Sequence, residues 1–395
     1  MYLDNNEYPN IANRFELLVG CSARATFSTA QQLQSAIAKK WLFGHLNYDF
    51  KNELYTDLSS NNTSYFDNNE LHFFEPDIVF YIPYGAKELY IESQEIDPQE
   101  IWEALNAQPT YVEQGSNGQK PFFSSETTWE TYEQNIEKIR QHIIDGDCYE
   151  LNYCVAATAS NIVLTNPIAD FYRLNKSNPS PYAACYRVND HWALCSSPER
   201  FLWKNSTSLL AQPMKGTIRR GADHEEDAIL KSKLQNDIKE RAENVMIADL
   251  MRNDLAKSSK TGTVKALELF GIYTFPTLHT MVSTIQGTIK DECTSLDAIF
   301  NAFPMGSMTG APKKIVMEIT ENLEQTKRNL YAGSIGYFMP NGDFDFNVVI
   351  RTLLYDHAKH ILSFETGGAI TIDSIAEKEW AEVQLKAAAL KRIFE

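Results

Sequence analysis

Residues 373–393 of this 395-residue chain constrain the fold most, because they carry two periodic patterns at once. Trp380, Val383, Ala387 and Leu390 recur at three- and four-residue steps, the stripe that an amphipathic helix lays on a core. Glu379, Glu382 and Lys386 fall at i, i+3 and i+7 and form a second stripe beside the apolar one. On its own such a stripe reads as a solvated charged face. It is repeated, however, in residues 239–246, where Glu240 and Glu243 again stand one turn apart, with Ile238, Ala242 and Val245 as the neighbouring apolar stripe. The spacing predicts a helix over about residues 223–252. Two Glu-x-x-Glu helices facing each other would gather four carboxylates, which repel unless a hard cation with oxygen ligands and retained waters lies among them. Magnesium is the natural candidate.

A hydrophobic fraction of 43% with 12% aromatics describes a globular chain, long enough for one large domain or two. The net charge of −16 argues against nucleic acid or an anionic membrane as the main partner, and any anionic ligand would need local cations. Cys21, Cys148, Cys154, Cys185, Cys195 and Cys293 show no C-x-x-C spacing, so they read as thiols in a reducing compartment. The acidic, polar start, Met1 to Tyr8, does not resemble a signal peptide, and no run reaches the roughly 18 apolar residues of a membrane span. The expectation is a cytoplasmic protein.

Residues 1–110 read as an N-terminal region of short strands and one helix, packed partly on the core, with residues 41–49 the most strand-like. The breakers in Asn106-Ala-Gln-Pro-Thr110 and Gly115-Ser-Asn-Gly118 precede a second region, 120–395, expected to carry the chemistry. Trp129, Tyr132, Ile136, Ile139 and Ile143 predict a helix over residues 127–145, closed by Gly146, and strand-like runs come after it at 148–157, 182–188 and 191–196. Strands and helices mix without a regular βαβ alternation, which favours an α+β architecture.

Five stretches stand out: Ser197-Pro-Glu-Arg-Phe-Leu202, Gln212-Pro-Met-Lys-Gly-Thr217, Asp249-Leu-Met-Arg-Asn-Asp-Leu255, Gly306-Ser-Met-Thr-Gly-Ala-Pro-Lys-Lys314 and Asn347-Val-Val-Ile-Arg-Thr352. In this order they resemble the chorismate-utilising enzymes, the family of anthranilate, aminodeoxychorismate and isochorismate synthase large subunits. The likeness is dense over about residues 125–393 and weaker around residues 44–52. It implies an α/β sandwich of two packed antiparallel sheets with helices outside and the site in the cleft between them. It further implies magnesium on Glu240, Glu243, Glu379 and Glu382, holding the ring carboxylate of chorismate. The enolpyruvyl carboxylate would meet Arg351, Tyr331 and backbone donors at Gly306, Gly310, Gly367 and Gly368, where a missing Cβ lets N–H groups approach an anion, and Ser307 joins the implied substrate site. Lys386 resembles the family's substrate-contacting lysine, His279 a histidine that hydrogen-bonds the substrate, and Glu199 the general acid for the departing ring hydroxyl. For Glu199 a strand-end salt bridge with Arg200 is the competing reading.

Lys215 discriminates among the members. It resembles the lysine of aminodeoxychorismate synthases, where anthranilate synthases usually carry alanine, and implies a covalent intermediate in which this amine adds to the ring. The isochorismate-forming members resemble one another in a lysine base at the position of Glu150, and the amine-using members usually have glutamine there. The resemblance thus implies amination of chorismate to 4-amino-4-deoxychorismate, for p-aminobenzoate and folate synthesis, with anthranilate formation as the alternative. No glutaminase segment is legible, so a glutamine amidotransferase subunit is the implied source of ammonia.

Overall fold

The computed structural model describes residues 1–9, 12–108, 120–276 and 278–395; Pro109, Thr110 and the expected linker Gly115-Ser-Asn-Gly118 lie outside them. Among the described residues, eighteen strands pair in one antiparallel network. The pairings divide it into two halves. In the first, Phe15–Phe27 pairs with Leu71–Pro83, and the ladder continues through Leu42–Leu46, Ser334–Phe338, Phe344–Asn347, Arg200–Asn205, Ser208–Gln212 and Leu278–Thr288. Leu278–Thr288 also takes Met214–Arg219 and Lys265–Thr274. The second half runs Tyr182–Val188, His191–Ser197, Thr352–Asp356, Ile361–Ile370, Glu150–Ala159 and Gly310–Ala311.

A single three-residue strand, Tyr2–Asp4, joins the halves by pairing with Phe15–Phe27 on one side and Tyr182–Val188 on the other. The two expected sheets are therefore two layers of one network. Phe43, Phe74, Val79, Ile335 and Tyr337 of the first layer share an apolar cluster with Ala184, Tyr186, Ala193, Cys195 and Leu354 of the second. Alternating inward side chains of both layers make that core, as sheet-on-sheet packing requires.

The C-terminal helix spans Ala376–Lys391, burying Val383, Ala387 and Leu390 against Ile361–Ile370. Its Trp380 packs on Trp129 and Tyr132 of the helix Trp129–Ile144, whose N-cap is Thr128. The helix expected over 223–252 is instead two, His224–Asn236 and Ile238–Ser258. Asp237 lies between them at φ −69 and ψ 119, and its side chain accepts from Glu240 N. An aspartate that caps the second helix in extended geometry cannot continue the first. Ile238 and Val245, expected in the apolar stripe, lie on the solvent side of this second helix, 86% and 46% exposed. Asn244, Ile247, Ala248, Met251 and Leu255 face inward instead. Asp237→Ala is expected to lower the unfolding free energy by about 1 kcal/mol, read as a lower urea midpoint at unchanged slope.

The N-terminal region differs from the short strands and one helix expected of it. It holds two 13-residue strands and the helices Ala30–Ala36, Lys51–Leu54 and Pro98–Asn106. Register shifts at Phe15/Leu17 and Ala23/Ala25 interrupt the alternation that would have marked one long strand. All six cysteines are free, four of them buried, and no helix among the described residues is long and apolar enough to cross a membrane.

Candidate active site

Lys215 lies on Met214–Arg219 in the first layer, at a register shift. Lys215 opposes Met281 and Thr217 opposes Thr280, leaving Gly216 as a bulge at φ +81. Only glycine takes that conformation without strain, and a bulge re-aims the side chain beside it. Glu150 begins Glu150–Ala159 in the second layer, and its Oε1 lies 2.7 Å from Lys215 Nζ, so one ion pair spans the two halves. Burial works against the charge on Lys215, but Glu150, with Glu243 and Glu199 further off, outweighs it and leaves the ammonium raised above its ordinary value. Gly310, at φ +143, backs Glu150 closely: a Cβ there would sit 2.1 Å from the Glu150 carbonyl oxygen.

Glu199 immediately precedes Arg200–Asn205 and is buried. Burial pushes its carboxyl up to about 7, moderated by Ser307, Lys215 and the backbone at Met214. Ser307 Oγ is itself buried and makes no well-formed hydrogen bond. The competing salt bridge with Arg200 is not made. Arg200 instead gives two 2.9 Å hydrogen bonds to Asp345 and stacks over Tyr182, because residues adjacent on a strand point to opposite faces.

The four glutamates come from the two expected helices. Burial raises Glu240, Glu243 and Glu379, with Glu243 adding to Glu240 and Glu382 to Glu379. Glu382 goes the other way: burial opposes it, but Lys386 at 2.7 Å holds it down. Lys386 also donates to the Gly367 carbonyl at 2.6 Å, and Lys239 lies 3.5 Å from Glu243. Among the described residues no three His, Cys, Asp or Glu side chains gather closely enough to hold a metal alone. What the cluster offers is hard oxygen and excess negative charge, with glycines where the carboxylates come close to the strands. A Cβ on Gly216 would stand 2.7 Å from Glu240 Oε2, and one on Gly368 would stand 3.6 Å from Glu379 Oε2 and 3.9 Å from Glu382 Oε1. That donor set suits a magnesium ion that keeps several waters and takes few protein ligands.

Arg351 adopts φ +52, and burial, eased by Tyr8, lowers its guanidinium pKa. Among the described residues it has no carboxylate at ion-pair distance, an arrangement that favours an incoming anion. Tyr331 is buried, and burial, with Cys154 and Glu365 beside it, pushes its phenol well above the ordinary range. Gly367 packs tightly, with room for no Cβ against the Tyr153 carbonyl. His279 has both ring nitrogens engaged, Nε2 at 3.0 Å from Asp227 Oδ1 and Nδ1 at 2.9 Å from Thr274 Oγ1. A hydrogen bond from His279 to a ligand would have to replace one of these. No sequence spacing pointed to Asp227 as its partner, 52 residues away. Among the described residues no hydrogen bond or ion pair joins Arg351, Tyr331 or His279 to Lys215 or Glu199, whereas Glu150 contacts Lys215 directly and the charges of Glu243 and Glu199 also act on it.

The pattern of the chorismate binding enzyme family matches residues 17–392. This chain belongs to that family. Aminodeoxychorismate synthase component 1 of Bacillus subtilis is 38% identical over 273 residues, 69% of this chain and 57% of that protein. The chloroplastic aminodeoxychorismate synthase of Arabidopsis thaliana is 42% identical over 278 residues, 69% of this chain and 30% of that protein. The chain thus spans less than two thirds of the length of both relatives. The crystal structure of anthranilate synthase component I from Streptococcus pneumoniae TIGR4 superimposes with a TM-score of 0.85 at 23% identity, covering 98% of this chain and 94% of that one. Family membership and the shared fold agree with the two-layer architecture.

Proposed function

We propose that this family member is the chorismate-aminating component of an aminodeoxychorismate synthase, replacing the C4 hydroxyl of chorismate with an amino group. The observation that carries the reading is an amine, Lys215, set between the two layers beside Glu150 and within the field of a carboxyl, Glu199, that titrates near neutral pH. The half-buried Arg351 guanidinium would supply a receptor for one substrate carboxylate in a chain of net charge −16. Glu240, Glu243, Glu379 and Glu382 would hold magnesium, which when bound neutralises and polarises the other carboxylate.

In the proposed sequence the Lys215 amine adds at ring C2, the ring double bonds shift, and the C4–O bond breaks. Glu199 gives its proton to the departing hydroxyl, so that water leaves. Ammonia then adds at C4, the double bonds return, and the C2–N bond breaks to free Lys215. The new C4 ammonium returns a proton to Glu199. The net change is chorismate and ammonia to 4-amino-4-deoxychorismate and water. A glutamine amidotransferase subunit would supply the ammonia, and a separate lyase would make p-aminobenzoate for folate.

The test is mass spectrometry of products from the pure chain with chorismate, magnesium and a high concentration of ammonium salt, with and without an aminodeoxychorismate lyase. Aminodeoxychorismate, turning into p-aminobenzoate only with the lyase, is the expected result. Anthranilate formed without the lyase would overturn the reading. Chelation with EDTA is expected to stop turnover and added magnesium to restore it.

A further inference from the structure

The pair that bridges the two layers has a feature that the reaction above leaves unused. Glu150 is 1% exposed, and its Oε1 makes one contact, the 2.7 Å ion pair with Lys215. Its other oxygen, Oε2, is buried and without a hydrogen-bond partner among the described residues. Buried carboxylate oxygens are normally satisfied, so one left open needs a reason. Building on Lys215 as the nucleophile, we propose that Glu150 is its proton partner. It holds the resting ammonium, takes one proton from it as the bond to the ring forms, and returns that proton when the lysine is expelled.

An ammonium has no lone pair, so Lys215 must lose a proton before it can add to a carbon. The groups facing it are few. Glu199, from the entry to Arg200–Asn205, must arrive already carrying the proton that it gives to the hydroxyl. Glu243, from Ile238–Ser258, is paired with Lys239, and Glu382, from Ala376–Lys391, with Lys386. On Leu278–Thr288 the residue opposite Lys215 is Met281, and His279 two positions away is tied to Asp227 and Thr274. Glu150 alone combines direct contact, burial and unused accepting capacity. Two opposite charges in a dry site cost more than a neutral acid beside a neutral amine. Exclusion of water by chorismate therefore favours moving the proton within the pair. The balance is complete: the proton passes from Nζ to the Glu150 carboxylate, the freed lone pair forms the C2–N bond, and cleavage of that bond restores the amine, which takes the proton back.

The consequence is a distinctive pH dependence. In the native pair the proton that leaves Lys215 passes to the carboxylate in direct contact with it rather than to solvent, so the lysine imposes no acid limb. In Glu150→Gln the proton must leave to solvent. We would follow kcat from pH 6 to 9 for the wild type, Glu150→Gln and Glu150→Asp at saturating chorismate and ammonium, and trap the Lys215 adduct by intact-protein mass spectrometry without ammonia. Taking the ratio of variant to wild type cancels the contribution of Glu199. That ratio is expected to be lowest at pH 6 and to rise about tenfold per pH unit, with KM for chorismate changed less than about threefold. Glu150→Asp, which keeps a carboxylate, is expected to retain the wild-type profile at reduced rate. A flat ratio, or a Glu150→Gln variant faster than wild type at pH 6, would overturn the role of Glu150 while leaving the Lys215 adduct intact. So would a tenfold-per-unit acid limb in adduct formation by the wild type, a measurement that needs no variant. Absence of any wild-type adduct would instead remove Lys215 as nucleophile and Glu150 with it.

Discussion

Lys215→Ala is expected to lower kcat/KM for amination by roughly a thousandfold or more, the scale of removing a nucleophile that acts together with its partners. Chorismate binding should change far less, because the groups read as holding its carboxylates, Arg351 and the glutamate cluster, remain. The same substitution carries a structural penalty that must be separated from the chemical one. It leaves Glu150, 1% exposed, without the ammonium it contacts at 2.7 Å. Breaking a buried pair by removing one partner costs about 3–5 kcal/mol before the orphan charge relaxes by taking up a proton. The double variant Lys215→Ala, Glu150→Gln should recover much of that stability, since it removes the orphan charge, yet recover none of the amination. Urea unfolding and product assays on the two variants check both halves. Amination retained in Lys215→Ala at more than about a tenth of the wild-type rate would exclude an obligatory lysine adduct.

Glu199→Gln is the second large effect. A general acid contributes typically about 10²–10⁴ in rate, and a glutamine keeps the shape but has no acidic proton to give. The pH dependence is set by the sign of the shift. Burial raises the Glu199 carboxyl to about 7, so the proton-bearing form is present below that value and is lost as pH rises through it. Wild-type kcat should therefore fall about tenfold per unit on the alkaline side of neutrality. In Glu199→Gln the small residual rate should show no such limb. A variant that keeps both the wild-type rate and the alkaline limb would assign the acid to another group. Since Arg200 is committed to Asp345, loss of the Glu199 charge should cost little stability, and the two readouts stay separable.

Local signals made much of the architecture readable. The apolar stripe of the C-terminal helix is the one that packs, and its Glu379 and Glu382 stand on the adjoining face. The helix Trp129–Ile144 and the strands Tyr182–Val188 and His191–Ser197 obey patterns whose period is set within a few residues. Where a single residue altered local geometry, the pattern misled. Asp237 caps a new helix within the span expected to be one. Register shifts hid a long strand at Phe15–Phe27. Candidate site residues were legible as motifs because each carries a chemically unusual group in a compact stretch, such as the Lys215 amine beside Gly216.

The sequence by itself determined the family, the two glutamate-bearing helices and the candidates proposed as reactive groups, because motif and periodicity are properties of short contiguous stretches. The tertiary structure alone decided what those groups face. Glu150 and Lys215 are 65 residues apart on strands of different layers, and the three-residue strand Tyr2–Asp4 is what pairs with both layers. Arg200 could have held Glu199 but is drawn to Asp345, 145 residues away. Charge and proton affinity at a buried site depend on which groups lie within a few ångströms and on how much water is excluded. Neither quantity is written in any one segment of the chain.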